Sequence, residues 1–253
     1  IQNLDKPNGL PNHLQFWVHE YNEKPPDDFE RSYINIEEAK ICVHLFLMML
    51  CRGYKSSEIT ILASCKGQKK QIIKELKLLI DTYYKSGKYD EYDAFDFEND
   101  FTDDYRVAFL KIDKKAEFGR LIEIRKKLTQ NIVKCIDDFQ GEENEVIILS
   151  LTRSTDVGSL RERNRSLVSL SRAKQMEIVV GNRNMFGTNS DHYLWRKISS
   201  QLKYINPKNH PKNGISINAC QEHAKYKDSV KTIYELDDLL KYRFNLCERY
   251  CDS

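Results

Sequence analysis

Between Asn131 and Asn182 charged and polar side chains collect at the ends of apolar runs. Asn131 to Ile136 and Glu145 to Leu151 are joined by Asp137, Asp138, Phe139, Gln140, Gly141, Glu142, Glu143 and Asn144. A basic segment with Arg165, Arg172 and Lys174 follows. Polar groups held at strand ends are where α/β proteins place their ligand chemistry. A second set lies near the carboxyl terminus, where Cys220 and His223 are spaced C-x2-H, and Cys247 and Cys251 are spaced C-x3-C. Thiolate and imidazole ligands at such spacings suit tetrahedral zinc. Either all four share one ion across a long interval, or Cys247 and Cys251 belong to a module whose other ligands lie further on.

The elements that must position these groups follow from periodicity. Leu14 to His19 reads as a strand, followed by a surface turn at Pro25, Pro26 and Asp27. Asn35 opens a helix with Glu38 three residues on, a capping-box arrangement, and Gly53 stops it. Its nearly continuous apolar sequence predicts a largely buried helix. Ile59 to Ala63 is a short strand leading through Ser64, Cys65, Lys66, Gly67 and Gln68 into a helix with Ile72, Ile73, Leu76, Leu79, Ile80 and Tyr83 on one face. Residues 83–130 read as an insertion, strongly acidic from Asp90 to Asp104. It is either a solvated loop or a docking surface whose aromatic residues anchor a basic partner. Within its later part Arg106 to Ile112 suggests a strand and Glu117 to Leu128 an amphipathic helix. His192, Tyr193, Trp195, Ile198 and Leu202 have helical spacing, and a Pro- and Asn-rich linker follows from about residue 206. Runs of β-branched residues bounded by charged turns predict strands buried in a parallel sheet. Residues 1–205 form one domain in this reading, and 206–253 a linker with the Cys/His-containing extension.

At 253 residues and 40% hydrophobic content the chain has enough apolar material for a real core. Forty basic and 38 acidic residues leave a formal charge of +2, so any nucleic-acid groove must be a local patch. Seven cysteines without a signal peptide suggest a reducing compartment, and no apolar run reaches the roughly 18 residues of a membrane span. The chain begins at Ile1 and ends just after a cysteine pair, so it is expected to be part of a longer protein.

Ile-Asp-Asp-Phe-Gln-Gly-Glu-Glu-Asn (136 to 144), Ile-Ile-Leu-Ser-Leu-Thr-Arg (147 to 153) and Val-Ser-Leu-Ser-Arg-Ala-Lys (168 to 174) resemble motifs V and VI of superfamily-1 helicases of the up-frameshift type. Residues 32–39 are similar to the segment that introduces motif IV, and 63–68 resemble motif IV itself. The Gly-Glu-Glu-Asn wording and the Asn164-Arg165 pair resemble most closely the zinc-finger-containing branch of that group. The resemblance implies an α/β, RecA-like parallel sheet flanked by helices, here the second, carboxyl-terminal RecA-like domain.

It also implies roles. Arg172 stands where the family places its arginine finger, and a structural alternative has it bridging to a carboxylate such as Glu143. Glu143 matches the motif V glutamate near the ribose and phosphates of ATP, with Gln140 and Gly141 shaping the loop that approaches it. Arg153 and Arg165 match arginines of the pattern that support Arg172 or sit at the nucleotide. Ser64, Lys66, Gly67, Cys135 and Asp137 fall on the single-strand side, where Cys65 and Cys135 replace residues usual in the family. A G-x-x-x-x-G-K-[ST] phosphate loop is absent, since Ser86-Gly87-Lys88-Tyr89 fails the pattern. The chain alone is therefore expected not to hydrolyse ATP. The phosphate loop and the Mg2+ ligands are expected in an upstream RecA-like domain, with Zn2+ at the Cys/His extension. Single-stranded RNA is the expected partner, in the cytoplasm or its ribonucleoprotein granules, the nucleus remaining open, with protein partners at the acidic insertion and no membrane. A ribonucleoprotein scaffold built on a degenerate helicase fold, and a DNA helicase, are the alternatives.

Overall fold

The computed structural model describes residues 13–26, 32–51, 54–85, 132–186, 195, 197, 215–218 and 230–233. In chain order the elements are β1 (Leu14–His19), α1 (Ile36–Cys51), β2 (Ile59–Ala63), α2 (Lys66–Lys85), β3 (Val133–Cys135), β4 (Asn144–Ser150), α3 (Arg163–Ser169), β5 (Ala173–Asn182) and α4 (Arg183–Phe186). A separate antiparallel pair, β6 (Ile215–Asn218) and β7 (Val230–Ile233), lies in the stretch expected to be linker and extension.

Strands β1 to β5 form one sheet in the order β1-β5-β4-β2-β3, every neighbour parallel. The interior strands carry the near-continuous apolar runs that burial on both faces requires, as in Val146 to Leu149 and Ile178 to Val180. One face packs on α1 and α2. Ile61, Val146, Ile148, Met176, Ile178 and Val180 meet Ile41, Leu45, Phe46 and Met49 of α1 and Ile72 and Leu76 of α2. The other face buries Leu62, Ile147, Leu149 and Val179 under Phe139, Leu151, Val157, Leu160, Met185 and Trp195. This is the expected RecA-like α/β sheet flanked by helices. The part of the acidic insertion beyond Lys85, up to residue 130, lies outside the described residues, and so do the Cys/His ligand candidates.

The capping box at Asn35 forms only by half. Asn35 Oδ1 accepts the Glu38 amide at 3.1 Å, as an N-cap should. The Glu38 carboxylate, however, does not turn back to the Asn35 N–H, which donates instead to Gln68 Oε1 at 2.7 Å. Glu38 is fully buried and points at the carboxyl ends of the strands. A buried carboxylate needs several donors, and the strand ends supply them where a lone Asn35 amide would not.

Gly67 sits where α2 starts against the 32–33 segment. Its N–H donates to Ser32 Oγ at 2.8 Å, and an added Cβ would lie 2.9 Å from that oxygen and 3.0 Å from the Tyr33 carbonyl. Because the Tyr33 obstacle is backbone, Gly67→Ala is expected to destabilise by about 1 to 3 kcal/mol. Urea midpoints of the two proteins measure this, and equal midpoints would show that the 32–33 segment yields freely.

On β5, Glu177 shares the Val179 face by the two-residue period of a strand. It is 5% exposed, and one carboxylate oxygen has no hydrogen-bond partner among the described residues. Burial pushes its carboxyl up to about 8.

Candidate functional site

The parallel strands put the polar residues of interest at two ends of the sheet. At the amino end, α3 delivers Arg172 into the turn before β5 while the 140–143 loop enters β4, and Asn144 N donates to the Arg172 carbonyl at 3.1 Å. The Arg172 guanidinium donates through Nε to the Val168 carbonyl at 3.0 Å, through Nη2 to Ser171 Oγ at 2.9 Å, and at 3.4 Å from Nη1 to the Glu142 carbonyl. Among the described residues it meets no carboxylate. Glu143 pairs instead with Lys174 at 3.0 Å, which raises the Lys174 ammonium above its ordinary value. The bridge from Arg172 to Glu143 weighed as a structural alternative is thus not formed.

A guanidinium anchored on carbonyl oxygens keeps its full positive charge unneutralised by a fixed anion. It is suited to an anionic ligand arriving from outside. The Glu142 segment that its Nη1 contacts also lines a hollow of about 390 Å³, together with Ser57, Thr60, Lys134, Phe139 and Glu143. Lys134 pairs with Glu142 and lies over the Phe139 ring, 5.2 Å from its centroid. Asn144 Nδ2 ties β4 to the entry of β2 by donating to the Ser57 carbonyl and to Thr60 Oγ1, both at 3.0 Å.

Gln140 and Gly141 are exposed in the turn that feeds Glu142 and Glu143 into β4. Gly141 has φ +84°, with nothing among the described residues within 4 Å of an added Cβ. Its glycine is required by backbone conformation alone, so Gly141→Ala is expected to cost about 1 to 2 kcal/mol without any steric clash. An unfolding midpoint unchanged by that substitution would mean that the loop relaxes to another turn.

At the carboxyl end the 64–66, 136–138 and 151–155 loops meet. Arg165, at the start of α3, donates through Nη2 to Asp137 Oδ2 at 2.7 Å and to the Ser64 carbonyl at 3.5 Å. It joins these two loops and makes no bond to Arg172. Arg153 also stays apart, its guanidinium 3.6 Å over the Tyr33 ring and paired with Glu23 at 3.3 Å and Asp156 at 2.6 Å. The support that either arginine was expected to lend Arg172 by hydrogen bonding is not made. Lys66 and Asp137 are exposed, whereas Ser64, Gly67 and Cys135 are buried. The Ser64 hydroxyl lies within hydrogen-bond distance of the Leu151 carbonyl and Thr152 Oγ1, both at 2.9 Å. Burial, with smaller effects from the Lys69, Asp138, Cys65 and Asp137 charges, leaves the Cys135 thiol above its ordinary value. The Cys65 thiol donates to the Tyr33 carbonyl at 3.1 Å.

Beneath these loops lies a network whose members the sequence named separately but did not join. Thr152 is fully buried with φ +67°, a conformation rare for a β-branched residue and worth about 1 to 3 kcal/mol of strain. Glu38 Oε1 accepts the Thr152 N–H at 2.7 Å and the Ser150 hydroxyl at 2.6 Å, and Glu38 Oε2 lies 2.9 Å from His19 Nε2. Gln68 Nε2 donates to Ser150 Oγ at 3.1 Å. The acidity of the nearby Cys42 thiol is suppressed first by burial and then by the Glu38 charge.

The described residues contain no group of three His, Cys, Asp or Glu able to hold a metal ion. Cys220, His223, Cys247 and Cys251 lie outside them. The acids near Arg172 are occupied by lysines, so the donor set at the amino end does not fit Mg2+, while the free-facing guanidinium fits a phosphate. No helix among the described residues is long and apolar enough to cross a membrane.

An all-parallel sheet with an unneutralised arginine at its amino end and a loop cluster at its carboxyl end defines a RecA-like α/β domain. A family profile described as an AAA domain matches residues 5–184. The chain belongs to that family, within the superfamily-1 helicases of the up-frameshift type. It is 26% identical over 258 residues to the NFX1-type zinc finger-containing protein 1 homolog of Caenorhabditis elegans, covering 96% of this chain and 9% of that protein. It is 29% identical over 142 residues to RNA helicase aquarius of Mus musculus, covering 56% of this chain and 7% of that protein. It is 36% identical over 99 residues to the DNA polymerase alpha-associated DNA helicase A of Saccharomyces cerevisiae, covering 36% of this chain and 14% of that protein. The chain thus spans a small part of the curated relatives it matches.

Proposed function

We propose that this chain is the second RecA-like half of an ATP-dependent RNA helicase or translocase of the zinc-finger-containing branch, and that it supplies the arginine finger. The carrying observation is Arg172, whose guanidinium is held by backbone carbonyls beside Glu143, with no carboxylate among the described residues to neutralise it. Phosphoryl transfer asks the protein chiefly for positioning and charge stabilisation. Arg172 donates to the γ-phosphate as negative charge develops there, and Glu143 orients the ribose and phosphate side of the nucleotide. An upstream RecA-like domain carries the phosphate loop and the Mg2+ ligands, so residues 1–253 alone do not hydrolyse ATP.

The loops at the carboxyl ends of β2, β3 and β4 face a single strand, with Lys66 presented to its backbone phosphates. RNA is favoured by the likeness to RNA helicase aquarius. The DNA helicase among them supports a second reading, in which the strand is DNA. Zinc bound at Cys220, His223, Cys247 and Cys251, and work in the cytoplasm or its ribonucleoprotein granules, complete the proposal. The test is hydrolysis of ATP by the full-length protein with and without single-stranded RNA, in native form and as Arg172→Ala. Strand-dependent hydrolysis that collapses in the variant supports the assignment, and native protein that binds strands without hydrolysing ATP replaces it with a scaffold.

A further inference from the structure

We propose that Glu38 is a positioning residue for strand binding: its buried carboxylate holds Thr152 in the left-handed conformation and so locks the loops after β2 and β4 into one rigid edge. This rests on the reading of the carboxyl-end loops as the strand-facing side.

A β-branched residue at φ +67° persists only where its surroundings over-determine it. Three contacts do so here. The Thr152 N–H donates to Glu38 Oε1 at 2.7 Å, Thr152 Oγ1 is 2.9 Å from Ser64 Oγ, and the Ser64 hydroxyl also reaches the Leu151 carbonyl at 2.9 Å. The ladder continues where Ser64 N donates to the Ser150 carbonyl at 3.1 Å, while Ser150 Oγ joins Glu38 and Gln68. One side chain from α1 therefore fixes the exit of β4, and through Thr152 and Ser64 the exit of β2.

Glu38 is itself held, by the N-cap bond from its amide to Asn35 Oδ1 and by His19 Nε2 at 2.9 Å on its second oxygen. Its carboxylate has no exposure to solvent and cannot touch a strand. What it controls is where the chain goes next. Thr152 leads into Arg153, stacked on Tyr33, and on to Thr155, which bonds Glu23. Without the carboxylate, Thr152 can relax to negative φ, and the 151–155 loop swings away from Ser64 and Cys65. Loss of a fixed binding edge appears as weaker strand affinity, because ordering the loop must then be done by the ligand.

The test uses full-length protein, a fluorescent oligouridine RNA and an unlabelled oligothymidine DNA competitor. Glu38→Ala is expected to raise the Kd for the RNA about 10-fold or more, the scale of one lost hydrogen bond to a charged acceptor. Turnover at saturating RNA should fall much less. Adding Thr152→Gly to Glu38→Ala should restore part of the affinity, because glycine occupies positive φ without a clamp, although it gives up the Oγ1 contact to Ser64. A merely structural loss at Glu38 would not be rescued by removing a Cβ at residue 152. If Glu38→Ala does not fold, Glu38→Asp, which withdraws the carboxylate by one methylene, is read in the same way with and without Thr152→Gly. Affinity unchanged in the single variants, or lowered with no rescue by Thr152→Gly, overturns the proposal while the strand-binding reading stands. Native protein that binds neither RNA nor DNA overturns both.

Discussion

Replacing Glu177 by Gln is expected to stabilise the fold at alkaline pH and to flatten its stability between about pH 5 and 8. Burial on the inner face of β5 holds the carboxyl at about 8 in the folded chain, against an ordinary value of 4.5. Between those values the folded state keeps a proton that the unfolded state has released. Stability therefore falls as pH rises through that window and levels off above it. Each unit of such a shift corresponds to about 1.4 kcal/mol, so the change across the window is on the order of several kcal/mol. Glutamine keeps the shape and cannot ionise, so this contribution to the slope should vanish and the unfolding midpoint at pH 8.5 should exceed that of the native chain. Urea titrations at pH 5.5 and 8.5 decide it. If the native chain loses no stability between the two, Glu177 finds compensation on ionising that the buried, unpartnered oxygen does not reveal.

Arg172→Ala in the full-length protein should reduce strand-stimulated ATP turnover by roughly 10³-fold or more, the scale for an arginine finger. ATP affinity should change far less, because a group that acts on charge developing at the γ-phosphate contributes mainly in the transition state. Arg172→Lys should recover little. A lysine keeps the charge but has no planar fork with which to donate both to the Val168 carbonyl and to an incoming phosphate. Circular dichroism and unfolding midpoints should stay near native, since the side chain is only half-buried and its three partners are two carbonyls and the hydroxyl of the exposed Ser171, all open to replacement by water. Equal losses in turnover and ATP affinity would instead mark Arg172 as a ground-state binding residue.

The sheet was legible because its strands announce themselves. Leu14 to His19, Ile59 to Ala63 and Glu145 to Leu151 are largely apolar runs of strand length, and each lies within or overlaps a strand of the parallel sheet. Helix α1 was legible from its apolar sequence and its Asn35 cap. Glu38 was misread in part because a capping box and a buried carboxylate begin from the same letters. Which one forms depends on Gln68 and Ser150, distant in sequence, competing for the same atoms.

Thr152 lay in the 147–153 stretch, but nothing there signalled its left-handed backbone. Positive φ announces itself only through Gly, Asn or Asp, and threonine is a residue that local rules place in a strand. The two groups of site residues divide according to which end of a strand they flank, Arg172 and Glu143 before β5 and β4, Ser64 and Asp137 after β2 and β3. Arg165 comes seven residues before Arg172, yet α3 carries it to the opposite end of the sheet, where Asp137 and Ser64 take its donors. The antiparallel pair β6–β7 escaped notice because β6 follows the prolines and asparagines that read as linker, and each strand is only four residues long.

The central claim, that this chain completes an ATP site shared with an upstream RecA-like domain, is tested most directly by the ATP turnover of the native full-length protein. Turnover is measured against increasing single-stranded RNA, with single-stranded DNA as competitor, beside residues 1–253 alone. The expected result is RNA-stimulated hydrolysis by the full-length protein and none by residues 1–253. Hydrolysis by residues 1–253 alone, or full-length protein that binds RNA without any turnover, would contradict it.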